Sequence, residues 1–78
     1  MQTSLNYLEE GQWGKVMALT CQKATARRLL ELGVTPNTRL YCIRWAPMHG
    51  AIEVKIRGYL LAVGYSDAAS ILIEKEGD

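Results

Sequence analysis

The side chains best suited to chemistry in this sequence are few: Cys21, Cys42 and His49. A thiol beside an imidazole is the pairing that activates a cysteine nucleophile, and both groups ligate transition metals. A Cys21–His49 or Cys42–His49 pair has no accompanying motif, however. Gly11-Gln12-Trp13-Gly14 lacks the spacing of a phosphate-cradling loop. No catalytic constellation can be assembled, and the expectation is a protein that is not an enzyme. A structural zinc site takes a full tetrahedral set of Cys and His, which two cysteines and one histidine cannot complete. Cys42 alternates with Leu40 and reads as a small core residue. Cys21 and His49 remain the candidate metal ligands, for a weak or shared site. No cofactor is required on this reading, and Fe2+ or Zn2+ should bind only weakly.

Arg27 and Arg28 are the next candidates, and they belong to a short helix. In TCQKATARRLLELG, a period of about 100° per residue gathers Thr25, Ala26, Leu29, Leu30, Leu32 and Gly33 on one arc. Lys23, Ala24, Arg27, Arg28 and Glu31 take the other. Gly33 suits the left-handed position after a helix, and Pro36 blocks a restart. A helix this short does not persist alone in water, so Leu29 and Leu30 are expected to dock on the rest of the domain. Arg27 and Arg28 then face outward, with Arg27 placed to pair with Glu31, and Leu32 lies at the edge of the apolar arc. Arg27, Arg28 and Leu32 are the candidate partner-binding residues, arginine being frequent where interfaces concentrate their energy.

The rest of the chain reads as strands. WGKVMAL (13–19) follows Gly11 and contains Gly14. In TRLYCIRW (38–45), Leu40, Cys42 and Arg44 should share one face, and Tyr41, Ile43 and Trp45 the other. AIEVKIR (51–57) alternates cleanly, with Ile52, Val54 and Ile56 inward. Arg57-Gly58 turns tightly into YLLAVG. Ser66 is placed to cap a helical turn at Asp67-Ala68-Ala69. SILIEK follows, with Ile71 and Ile73 inward, and the final EGD is expected to fray. The aromatic residues Trp13, Tyr41, Trp45, Tyr59 and Tyr65 lie in or beside these strands. A proline-reading aromatic groove is not expected, because this chain lacks the acidic cluster that usually sits beside one; Trp45 and Tyr65, near loops, are the two whose exposure would matter.

Composition bounds the class. The chain has 78 residues, 49% of them hydrophobic, with a formal net charge of +1. That is enough for one packed domain and argues against disorder. The charge is too small for a nucleic-acid module of this size. No apolar run approaches the roughly 20 residues that span a bilayer, and MQTSLNYLEEG does not read as a secretory signal. Two isolated cysteines fit a reducing compartment, so the cytoplasm is the expected location. Five short strands, one inserted helix and a helical turn before the last strand suggest a small mainly-β domain: a five-stranded SH3-like barrel, with an OB-like barrel not separable on pattern alone.

The ordered strings GQWGKVMAL, RRLLELGVTPNTRL, RWAPMHGAIEVKIRGYLLAV and SDAASILIE resemble the ferrous-iron transport protein A (FeoA) family over about residues 8–74. The specific pieces are the Leu-Leu-x-Leu-Gly helix end at 29–33, Pro36, Ala46-Pro47, Gly58 with apolar flanks, and Asp67-Ala68. The resemblance implies an SH3-like barrel with a helix inserted in its first long loop. It implies a small cytosolic protein of bacterial ferrous-iron uptake that works with FeoB, the membrane permease carrying a cytosolic GTP-binding domain. It leaves open a homo-oligomer, a module that senses or binds a transition metal itself, and a free-standing adaptor. The sequence departs from the family after Ala46-Pro47, where Leu-Gly-Asp-Pro is common and Met48-His49-Gly50-Ala51 stands here.

Overall fold

The computed structural model describes residues 1–77. In chain order its elements are β1 (Gln2–Ser4), a 3-10 turn (Leu5–Tyr7), β2 (Trp13–Leu19), α1 (Lys23–Glu31), β3 (Arg39–Trp45), β4 (Ile52–Ile56), β5 (Tyr59–Val63), α2 (Tyr65–Ala68) and β6 (Ile71–Lys75). The strands form one antiparallel sheet of six, ordered β1-β6-β2-β3-β4-β5. The expected five-stranded barrel is corrected in two respects. The segment Gln-Thr-Ser at 2–4 adds a sixth strand by pairing with β6 (Thr3 opposite Ile73). Among the described residues no pairing joins β5 to β1, so the ladder is open. The inserted helix and the helical turn before the last strand are both present.

Alternation along the strands makes the core. Val16, Leu40, Cys42, Ile52, Val54, Ile56, Val63, Ile71 and Ile73 are buried, and Leu29, Val34, Leu5, Leu8 and Ala68 close the cluster. Two bulges reset the alternation. In β3 the register steps from Cys42 opposite Val54 to Arg44 opposite Glu53, so Ile43 is extra and the facing of every later residue reverses. Arg44 is therefore exposed, and Trp45 comes round to pack on the core, the reverse of the strict alternation expected. In β2 the step between Val16 and Ala18 likewise brings Leu19 against the core.

The turns differ in detail from expectation. Arg57 and Gly58 both have positive φ (50° and 85°), as a two-residue primed hairpin turn demands, and they carry β4 into β5 in register. Gly64, not Ser66, is the N-cap of α2, and no side chain caps it. The tail is tied down at Glu76: its N–H donates to the Trp13 carbonyl (3.0 Å), and its carboxylate holds Arg39 in a bidentate pair (2.7 and 2.8 Å). The expected fraying of the last residue, Asp78, lies outside the described residues.

Candidate functional site

Helix α1 docks through a narrow seam. Leu29 is its one buried side chain (2% exposed), while Leu30 is 42% exposed. The two differ by 100° about the axis, and Leu29, with Val34 just beyond the helix, fills the space over the sheet. Leu30 thus does not face the core as expected. It lies on the outward stripe with Lys23 and Arg27, at positions i+7 and i+3 from them. Lys23, Ala24 and Arg27 line a surface depression of about 350 Å3.

The two arginines have different surroundings. Arg28 is spoken for: its guanidinium meets the Asp67 carboxylate at 2.7 Å and ties α1 to α2. Arg27 is exposed and, among the described residues, forms no ion pair; the expected Arg27–Glu31 pair is not made. Leu32 is 39% exposed at the C-cap, beside the β4–β5 hairpin. The Tyr59 hydroxyl donates to the Leu32 carbonyl, and Arg57 donates to the hydroxyls of Thr35 and Thr38 (2.9 Å each). These contacts fix the hairpin to the helix end, leaving Tyr59 and Leu60 exposed at 41% and 61%. Gly33, at φ +99°, permits this closeness, since a Cβ there would overlap the Tyr59 hydroxyl. Tyr59 and Leu60 were not legible as surface residues in the apolar run YLLAV.

The candidate metal ligands are dispersed. Cys21 is partly buried against the core at the start of α1, and Cys42 is fully buried in β3. Burial pushes the Cys42 thiol up to about 11, with the Glu10 charge adding to the effect, which keeps it protonated near neutral pH. Among the described residues no group of three or more His, Cys, Asp or Glu side chains could hold a metal ion.

His49 lies elsewhere, in the β3–β4 loop, exposed and stacked on Tyr65 (centroids 4.8 Å apart, planes 21° apart). Met48 (97% exposed) and His49 both adopt positive φ, at 61° and 57°. With Asn6, Trp45, Ala46 and Tyr65 they line a recess of about 370 Å3.

Comparison with known proteins agrees with this architecture. The FeoA domain model matches residues 3–75. A FeoA-like protein from Clostridium acetobutylicum is 28% identical and superposes with a TM-score of 0.90, covering 99% of this chain and 90% of that one. The FeoA protein from Chlorobium tepidum is 29% identical (TM-score 0.89; 96% and 71% covered). A zinc-complexed FeoA from Stenotrophomonas maltophilia, described as a prokaryotic SH3 domain protein, is 21% identical (TM-score 0.80; 92% and 89% covered) and supports the SH3-like fold. Curated proteins offer no match.

Proposed function

The chain belongs to the FeoA domain family, and with it to ferrous iron transport; from that premise we propose that it is a cytoplasmic accessory protein that contacts the cytosolic, GTP-binding region of the ferrous-iron permease. The observation that carries this reading is the outward stripe of α1. A nine-residue helix that commits one leucine to the core leaves Leu30 at the surface with Arg27, which pairs with no carboxylate among the described residues, and Leu32 beside them at its end. An apolar side chain next to a free guanidinium is the composition that concentrates binding energy in small interfaces. Arg28 contributes by holding the helix through Asp67 rather than by reaching the partner. Among the described residues no helix is long and apolar enough to cross a membrane.

The role is non-catalytic. Iron is the cargo of the permease, and Fe2+ or Zn2+ should bind this protein only weakly, since among the described residues the ligands are few and dispersed. The test is growth on limiting ferrous iron of a strain lacking the protein. Restoration by the wild type and failure of a folded Arg27→Glu protein support the reading. Full restoration by that variant counts against it.

A further inference from the structure

Strand β5 leaves one side of the sheet without a neighbour. It pairs with β4, and among the described residues no strand lies beyond it. The opposite edge, β1, is three polar residues long. β5 is five residues, Tyr-Leu-Leu-Ala-Val, with no charge, no proline and no bulge in its register with β4. Charge, proline, bulges and shortness are the devices that keep natural edges from pairing, and β5 has none of them. Leu60 is 61% exposed, and Ala62 is exposed beside it on the outer face of the sheet. The hydrogen-bonding groups on the open side follow from the ladder. Ile56 and Tyr59 close the two-residue turn and exchange hydrogen bonds. By the alternation of an antiparallel pair, Leu61 and Val63 then also direct their N–H and C=O groups to β4, and Leu60 and Ala62 direct theirs away from it. Among the described residues no backbone group meets them there.

We propose that two copies of this chain associate by antiparallel pairing of β5 with β5 about a two-fold axis at Leu61, joining their sheets into one. In that register Leu60 lies opposite the second copy's Ala62, and each such pair exchanges both backbone hydrogen bonds, so the groups on the open side are satisfied. Leu61 meets its own counterpart as a non-hydrogen-bonded pair, the closer of the two kinds. Two features select a second copy and this register. At both Leu60–Ala62 pairs a large side chain faces a small one. Within each copy Lys55 stands opposite Leu60 and Glu53 opposite Ala62, so each row across the joint runs from Lys55 over Leu60 and the second copy's Ala62 to the second copy's Glu53. Lys55 is exposed and, among the described residues, in no ion pair, whereas Glu53 meets Arg44 at 3.4 Å. Centring the pairing on Leu60 or on Ala62 would instead set Lys55 against Lys55 or Glu53 against Glu53, and like charges across strands are unfavourable. The edge of β5 is separate from the outer stripe of α1, so this association does not depend on the permease reading.

The experiment is sedimentation velocity of the whole protein over a concentration series. A joint made by one strand lies at the small, weak end of protein interfaces, so the series runs to about 1 mM. A monomer–dimer equilibrium is expected. Ala62→Pro removes an N–H that β4 does not use and the joint does, and should weaken the dimer by about tenfold or more. Lys55→Glu, at an exposed position, should weaken it about threefold at low salt and less at high salt. Thermal melting checks that both variants fold, and Arg27→Glu should leave the equilibrium unchanged. Cysteine cross-linking reads the register. In a Cys21→Ser background, mild oxidation of a Leu61→Cys protein should give a disulfide-linked dimer. Leu60→Cys and Ala62→Cys should not cross-link, because in this register each lies beyond disulfide reach of its own counterpart. A protein that stays monomeric throughout, a dimer indifferent to Ala62→Pro, or cross-linking at position 60 or 62 in place of 61 would each overturn the proposal.

Discussion

Leu29 and Leu30 are chemically identical neighbours that the fold treats oppositely, and their alanine variants measure the docking of α1. Leu29 is 2% exposed within the core cluster. Truncating a buried leucine costs ~2–5 kcal/mol, the transfer free energy of the lost carbons plus the cavity they leave. A domain of 78 residues has a total stability of roughly 4–12 kcal/mol. Leu29→Ala therefore removes a large fraction of it and should lower the melting temperature by more than about 10 °C, at ~4–8 °C per kcal/mol. Leu30 is 42% exposed. Its truncation gives up only part of the transfer term, leaves no cavity, and gains slightly in helix propensity, for a net cost of ~1 kcal/mol or less. Urea denaturation of the two variants side by side makes the comparison. Equal losses, or a larger loss for Leu30→Ala, would refute the assigned seam.

Gly33→Ala should destabilise by ~1–2 kcal/mol in the same assay, because a Cβ is strained at φ +99° and overlaps the Tyr59 hydroxyl; an unchanged midpoint would contradict this. Native protein treated with a thiol reagent at pH 8 should be modified at Cys21 and spared at Cys42, whose thiol burial pushes up to about 11. Peptide mapping that finds Cys42 modified as fast as Cys21 would show that β3 opens readily. The Arg39 hydrogen bonds lower the Glu76 carboxylate pKa, so their stabilisation is present above the unfolded carboxylate range and is lost as pH falls through the folded value. Glu76→Gln should therefore destabilise slightly at pH 7, as loss of an exposed pair does, and the difference should disappear only once the pH is below the folded Glu76 value, itself below the usual carboxylate range. A difference that persisted in acid would assign the effect to packing of the tail.

Most elements and the inward faces of β4 and β6 were legible because period-two alternation there is uninterrupted: Ile52, Val54, Ile56, Ile71 and Ile73 are all buried. What was not legible depends on pairing or packing across the chain. Gln2–Ser4 carries no apolar pattern and is a strand only because β6 offers an open edge. A bulge at Ile43 moves Trp45 to the core side, and nothing local announces it. A helical period gives the angle between Leu29 and Leu30 but not where the seam falls on so short a helix. The Arg28–Asp67 pair spans 39 residues, so the separate roles of Arg27 and Arg28 emerge only from the fold.

The central question is whether α1 presents its outer face to the permease. The decisive measurement is the affinity of the purified protein for the permease's cytosolic region, wild type against a combined Arg27→Glu, Leu30→Ala variant. These substitutions avoid the Arg28–Asp67 tie and the Leu29 seam, so the variant should fold. Binding by the wild type, weakened about tenfold or more in the combined variant, is the predicted result. Equal affinity of the folded variant and the wild type, or no binding by either, would contradict it.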